Sequence, residues 1–319
     1  MPKTRPDNPL VSIVVPVLNE EGCVAELARR VAAVMASANT RYELLFVDDG
    51  SQDGTPAAIA EVRKSDATVK TIRFTRSFGH QAALAAGLEH AAGDAVVIMD
   101  GDLQHPPEFI PTLIGAWLEG FDAVNTIRQV SAGTRLDSKE LLGRAFYRVM
   151  SALTPISITP AAADFRLLDR RVVEAFNRLE ERFIFARGLI PWLGFEEVSF
   201  DYAVGERFAG RSKYRFWSML RLGLDGIFSF SVVPLRLISL LGFGTTLFGI
   251  GFGIFSVISY LAGNVDGSGW TTLVVLILIF GGIQMLSIGI VSEYIGRTYE
   301  EVKRRPRYVI DSTAGLDRR

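Results

Sequence analysis

Over roughly the first 210 residues, short apolar runs alternate with longer stretches in which apolar residues recur at helical spacing. The runs are "VSIVVPV" at 11–17, "ELLFVDD" at 43–49, "VKTIRFT" at 69–75 and "DAVVIMD" at 94–100. Each has the length and β-branched content of a buried strand. Helices are predicted from Glu20 to about Ala36, from Gly54 to Lys64 and, rich in alanine, from Gln81 to Ala92. Near-continuous apolar strands alternating with helices predict an α/β fold: a mostly parallel, Rossmann-like sheet covered on both faces. In such sheets, ligands sit at the carboxyl ends of the strands.

The pattern changes near the far end. Leu237–Ala262 and Trp270–Ser292 are two runs without a charged residue. At about 1.5 Å per residue each can cross a hydrocarbon layer of about 30 Å, which predicts a transmembrane hairpin. The connector "GNVDGS" carries one acidic residue, whereas Arg211, Lys213, Arg215, Arg221 and Arg236 precede the hairpin and Arg297, Lys303, Arg304, Arg305 and Arg307 follow it. The positive-inside rule then puts both flanks, the α/β domain and both termini in the cytoplasm of an inner (plasma) membrane protein. "MPKTRPDNPL" lacks the apolar core of a signal peptide, in keeping with that orientation. Residues 214–231 interleave Phe216, Trp217, Leu220 and Phe228 with Arg215 and Arg221, a pattern for a helix in the headgroup layer or for an amphipathic helix packed on the soluble domain. The expected organisation is an α/β domain over 1–210, a basic loop and interface helix over 211–235, two spans within 236–293 and a basic tail over 294–319. A two-helix anchor with several glycines, Gly249 and Gly253 among them, would also suit a homo-oligomer.

Composition narrows the function. Lys and Arg number 34 against 35 Asp and Glu, so no chain-wide field for nucleic acid exists. The single cysteine, Cys23, excludes an intramolecular disulfide framework and reads as a small apolar filler of the first helix.

The polar residues that end the strands carry the chemistry. Asn19 and Glu20 follow the first strand, Asp48 and Asp49 the second, and Asp100 and Asp102 the fourth, so all three groups are expected on one edge of the sheet. Neither G-x-G-x-x-G after the first strand nor G-x-x-x-x-G-K-[ST] anywhere is present, which leaves dinucleotide and P-loop readings unsupported. Carboxylates repel phosphate unless a cation stands between them. In extended backbone Asp100 and Asp102 point the same way, and with the amide oxygen of Gln104 they make the hard oxygen set that Mg2+ or Mn2+ prefers. His105 could add a nitrogen ligand or orient a neighbouring group.

"VSIVVPVLNEE", "FVDDGSQDGT", "FGHQAALAAGL", "DGDLQHPPE" and "GERFAGRSKY" resemble, in order and spacing, the family 2 glycosyltransferases of GT-A fold. Within these they resemble the polyprenyl-phosphate glycosyltransferases, dolichyl-phosphate mannose synthase and most nearly the GtrB-type bactoprenol glucosyltransferases. The resemblance covers about residues 10–215, and the hairpin followed by "SEYIGRTYEEVKRRPRY" extends it. It implies that Pro16, Leu18 and Glu20 lie against the donor nucleotide, with Asp48 and Asp49 near base and ribose, and that Asp100, Asp102 and Gln104 hold the metal on the diphosphate. Arg207, Arg211 and Lys213, on a glycine-punctuated loop, would neutralise the leaving diphosphate, bind anionic headgroups, or both.

A lipid phosphate has a second pKa near roughly 6 and is mostly anionic at neutral pH, so positive charge matters more to such an acceptor than a general base. Arg128, Arg135, Lys139 and Arg144 supply it, on a stretch that reads as an acceptor-binding helix or as an ordinary solvated basic one. Where family relatives often carry a serine four residues after the lysine, this chain has Gly143, so no serine contact is assigned there, although Ser138 could substitute. Asp100, Asp102, Arg128 and Lys139 are thus the expected catalytic set. Direct displacement at the anomeric carbon would invert configuration. The chain has no Q-x-x-R-W string and only two spans, which favours transfer of a single hexose over polymer synthesis. The resemblance thus implies transfer from a nucleotide sugar, UDP-glucose by analogy with the subgroup, to undecaprenyl phosphate. Two other readings stay open: a different acceptor whose neutral hydroxyl would need Asp102 or Asp164 as base, and a membrane-anchored nucleotide-sugar sensor.

Overall fold

The computed structural model describes residues 5–128, 162–182, 184–202, 231–262 and 269–316. These fall into two units: one holds the sheet, its helices and residues 306–316, and the other holds the two long apolar helices.

In the first unit the chain runs β1 (Leu10–Val17), α1 (Glu21–Ser37), β2 (Arg41–Asp48), α2 (Thr55–Ser65), β3 (Val69–Phe74), α3 (His80–His90), β4 (Ala95–Ile98), α4 (Ile110–Leu118) and β5 (Ala123–Arg128). It continues through β6 (Ala162–Asp169), α5 (Arg170–Asn177), α6 (Ala186–Trp192) and β7 (Glu197–Tyr202). The apolar helices are α7 (Val233–Leu261) and α8 (Trp270–Val302), after which β8 (Ile310–Ala314) returns to the sheet.

Among the described residues the eight strands form one sheet in the order β7-β5-β6-β4-β1-β2-β3-β8. The strands β4, β1, β2 and β3 are mutually parallel, β6 runs against β4 and β5, and β8 runs against β3. Strand order reverses between β1 and β4, which makes the carboxyl edge there a topological switch point. The inner strands are apolar on both faces because helices cover both: Val11, Ile13, Val15 and Phe46 pack under α1, and α3 lies close on β1 and β2.

Pro16 is accommodated in a central strand for a local reason. Val14 O accepts from Met99 N on the β4 side and Val17 O from Asp49 N on the β2 side, so Pro16, two residues after Val14, faces β4. The β4 ladder has ended by then, at the Val14–Ile98 pair, so the missing N–H leaves no gap.

In the second unit, α7 and α8 are each long and apolar enough to cross a membrane. Their large apolar side chains are exposed, Leu240, Phe255, Leu278 and Met285 among them, as lipid-facing residues would be. The helix α8 runs on past the uncharged stretch to Val302, helped by an Arg297–Glu293 pair at 3.0 Å one turn apart. The basic tail expected over 294–319 therefore divides into a helix end and a strand of the sheet.

Candidate active site

The carboxyl edge is built from three loops that hold one another. After β1 the backbone turns at Asn19, with φ of 58°, a conformation that asparagine tolerates. Asn19 N donates to Ser51 Oγ, Gln52 N donates to Asn19 Oδ1, and Glu20 N donates to Thr55 Oγ1, each at 2.9 Å. These bonds tie the β1 end to the β2–α2 loop. Gly50, at φ of 75°, is pressed so near the Arg76 backbone that a Cβ there would lie 2.6 Å from Arg76 C; only glycine satisfies both constraints.

Asp48 and Asp49 are buried, and they face different partners. Asp48 accepts from Ser51 N at 2.8 Å, and its other oxygen lies 3.4 Å from Arg73 Nε. Asp49 spends its carboxylate on the β3–α3 loop, accepting from Ser77 Oγ at 2.7 Å, Phe78 N at 2.6 Å and Gly79 N at 3.0 Å. Above them opens a cleft of about 470 Å³ lined by Leu18, Asn19, Ser51, Gln52, Arg73 and Arg76 among others. Of the residues expected against the nucleotide, Leu18 lines this cleft. Pro16 and Asp49 are buried beside it, and Glu20 sits at the start of α1.

The acidic pair after β4 is not in extended backbone. The strand stops at Ile98, and residues 101–102 form a turn that continues into Leu103, a buried leucine at φ of 63°. A non-glycine residue in that region is uncommon and persists only where its surroundings hold it. Gly101 fits beneath β1, where a Cβ would lie 2.7 Å from Val17 Cγ1. Period-two alternation thus does not orient these two aspartates; the turn does.

Asp100 is about one-third exposed and stands among histidines. His105 is fully buried and stacked on Phe165 with ring centroids 5.2 Å apart. Its Nδ1 accepts from Asp100 N at 2.9 Å, and its Nε2 is 3.6 Å from Asp100 Oδ2. His105 thus holds the Asp100 backbone through Nδ1 and brings Nε2 near the Asp100 carboxylate. His80, at the start of α3, places Nε2 3.7 Å from Asp100 Oδ1 and 3.7 Å from Asp164 Oδ2. Burial alone lowers the His80 pKa, but Asp164 and Asp100 outweigh it and raise it. Asp164 is gripped by Arg187 through two bonds of 2.8 Å. Its burial favours the neutral acid, yet His80 and Arg187 hold the carboxyl well below the ordinary range. Asp102 accepts from Gln104 N at 3.1 Å and faces the start of α1. There burial first, and then the charges of Glu20 and Asp102, push the Cys23 thiol up to about 11.

Two carboxylates and an amide oxygen suit a hard divalent cation. The described residues contain no group of three or more His, Cys, Asp and Glu side chains able to cage one. Three oxygen ligands from Asp100, Asp102 and Gln104 would leave half of an octahedron for ligand phosphates and water, as Mg2+ or Mn2+ accepts. Arg128 closes β5. Arg135, Lys139, Ser138, Gly143, Arg144, the 205–214 loop with Arg207, Arg211 and Lys213, and the interface helix expected over 214–231 lie outside the described residues, apart from Ser231 at its end. Sequence reasoning missed Arg73, His80 and Arg187. The first two stood within the strand and the "FGHQAALAAGL" motif already singled out, and Arg187 stands in "RFIFARGLIPWLGF" (182–195), a basic and aromatic stretch whose pairing with Asp164 only the tertiary structure reveals.

The glycosyl transferase family 2 model matches residues 12–176. The chain is 42% identical over 308 residues to an uncharacterized glycosyltransferase, YkcC, of Bacillus subtilis, covering 96% of this chain and 94% of that one. It is 39% identical over 301 residues to the SfII prophage-derived bactoprenol glucosyl transferase of Shigella flexneri, with 94% and 97% covered. Among solved structures, the mannosyltransferase PcManGT from Pyrobaculum calidifontis, in complex with GDP-Man and Mn2+, matches at a TM-score of 0.48 and 17% identity over 94% of this chain and 88% of that one. With a family match across half its length and relatives at this identity from end to end, the chain belongs to the family 2 glycosyltransferases.

Proposed function

We propose that this glycosyltransferase moves one hexose, glucose from UDP-glucose, onto undecaprenyl phosphate or a similar polyprenyl phosphate at the cytoplasmic face of the membrane. The observation that carries this reading is the end-to-end similarity to bactoprenol glucosyl transferases, 39% identity over 94% of this chain, a span that takes in both the sheet and the apolar hairpin.

Asp100, Asp102 and Gln104 would hold Mg2+ or Mn2+, which when bound offsets the charge of the donor diphosphate. His105 holds the backbone N–H of Asp100 and His80 borders its carboxylate, so the main chain that carries this ligand is fixed before donor arrives. The nucleoside occupies the cleft at the ends of β1, β2 and β3, where Ser51 and Gln52 bound the base and ribose, Asp48 sits buried beneath them, and Arg73 and Arg76 supply positive charge. Arg207, Arg211 and Lys213 meet the leaving diphosphate, and Arg128, Arg135 and Lys139 receive the acceptor phosphate. That phosphate is mostly dianionic at neutral pH, its second pKa being near about 6, and attacks without a base. Its direct approach opposite the leaving group inverts the anomeric centre. Both termini and the sheet lie in the cytoplasm, and the glycines of the hairpin suit packing into a homo-oligomer.

The test is transfer of labelled hexose from a panel of UDP- and GDP-sugars into an organic-extractable lipid, with undecaprenyl phosphate present or absent and Mn2+ or EDTA added. Metal- and lipid-dependent label from UDP-glucose is expected; nucleotide binding without lipid labelling from any donor would overturn the reading. Asp102→Ala is expected to abolish transfer while leaving the protein folded and membrane-bound, and unchanged turnover would remove the metal assignment.

A further inference from the structure

The segment that follows the second apolar helix returns to the sheet at the edge of the donor cleft. Strand β8 pairs with β3 through Thr71–Ala314, Ile72–Thr313, Arg73–Ser312 and Phe74–Ile310. The register slips between Arg73 and Phe74, so Asp311 is left over on the β8 side. Such a bulge bends a strand and re-aims its side chains. Here it falls at Arg73, the residue facing Asp48, and at Phe74, the last residue before the β3–α3 loop.

The residues just before β8 hold the start of that loop and the far end of the helix after it. Val309 O accepts from Thr75 N at 3.1 Å. The Tyr308 ring stacks on Phe74, centroids 4.9 Å apart and planes 12° from parallel, and Phe74 in turn meets Phe78 edge-on at 5.8 Å. The Tyr308 hydroxyl donates to Glu89 Oε2 at 2.5 Å, on the last turn of α3. One tyrosine thus joins the end of β3 to the helix that follows the loop. Burial, reinforced by the Glu89 bond, raises the Tyr308 pKa, so the hydroxyl remains a donor throughout the physiological range. On the opposite side the loop is anchored by Asp49 and by contact with Gly50.

We infer that residues 308–314 are part of the donor site, with Tyr308 a positioning residue that holds Arg73, Phe74 and Arg76 in the shape that receives the nucleotide. This rests on the reading that the nucleotide occupies the cleft above Asp48. Because a stacked aromatic pair contributes modestly, Tyr308→Ala is expected to raise the donor KM roughly three- to tenfold. The acceptor KM should stay within about twofold of wild type, since Arg128, proposed to receive the acceptor phosphate, ends β5, on the other side of the sheet from β3 and β8. Tyr308→Phe keeps the stack and loses only the Glu89 bond, and should restore most of the donor KM.

The experiment is steady-state kinetics on the full-length protein in membranes, varying UDP-sugar and polyprenyl phosphate separately, with Asp48→Asn as a cleft control. An unchanged donor KM in Tyr308→Ala beside a raised one in Asp48→Asn would overturn this inference alone. Unchanged donor KM in both variants would overturn the cleft assignment beneath it. An equal rise in donor and acceptor KM in Tyr308→Ala, not rescued by Tyr308→Phe, would reduce Tyr308 to general structural support and overturn the inference. Should Tyr308→Ala not fold, Tyr308→Leu, which keeps apolar cover without the planar stack, is read by the same outcomes.

Discussion

Removing the Asp49 carboxylate separates a structural role from a nucleotide contact. In Asp49→Ala three hydrogen bonds disappear, from Ser77 Oγ, Phe78 N and Gly79 N, and two of the lost donors are backbone groups. A hydrogen bond to a charged acceptor contributes about 1.5–3 kcal/mol. Phe78 and Gly79 are only half-buried, so water can reach their N–H groups and lowers the cost. The total loss is then about 3 kcal/mol rather than the full sum. For a domain of this size that corresponds to a fall in Tm of about 6–12 °C. Asp49→Asn keeps one acceptor oxygen but turns an amide NH2 toward a backbone donor, and should cost about 1–2 kcal/mol. The assay is thermal unfolding of the full-length protein in detergent without nucleotide, followed by donor titration of each variant. Both stability and donor affinity should fall, because the loop that Asp49 holds lines the cleft. A Tm within about 1 °C of wild type, with donor binding lost, would refute the reasoning and make Asp49 a ligand contact.

Other outcomes are also fixed by the geometry. The Cys23 thiol, buried and pushed up to about 11, should resist alkylation at pH 8 in the native protein and react fully once unfolded; rapid stoichiometric labelling of the folded chain, read by mass, would contradict it. Asp164 has a depressed folded-state pKa, so its stabilisation is complete above the unfolded value near about 4 and is lost as pH falls below it toward the folded value. Asp164→Asn should therefore lower stability at pH 7 and flatten the dependence of Tm on pH below about 4, and an unaltered slope would dismiss the Arg187 pairing as its cause.

The parallel core was legible because its signal is local. Strands apolar on both faces betray themselves in any window, and the runs at 11–17, 43–49 and 69–75 match β1, β2 and β3 to within two residues at either end. The convergence of Asn19, Asp48 and Asp100 followed from topology alone. The conformation of the acidic pair did not, since neither the positive φ of Leu103 nor the hold of a buried His105, stacked on the distant Phe165, on the Asp100 backbone leaves a mark on hydrophobic periodicity. Strand β8 left still less trace. "IDSTA" is mostly polar and exposed, and its pairing is decided by the open edge of β3, more than two hundred residues earlier. Edge strands are specified by the partner they cover, so a polar sequence at an edge carries almost no strand signal of its own.

The surroundings of Asp164 bear on which acceptor the site can serve. A neutral hydroxyl acceptor needs a base whose pKa approaches the working pH and whose lone pairs reach the substrate. Asp164 satisfies neither requirement: the Arg187 fork takes both of its oxygens, at 2.8 Å each, with Arg166 Nη2 a further 3.8 Å away, and these neighbours with His80 hold the carboxyl well below the ordinary range despite its burial. Reprotonating it from a sugar or glycerol hydroxyl would mean breaking a buried ion pair, a step that typically costs several kcal/mol. An acceptor that arrives already ionised needs no such step. The arrangement around Asp164 therefore removes one of the two bases a hydroxyl acceptor could have used and leaves that reading to rest on Asp102 alone.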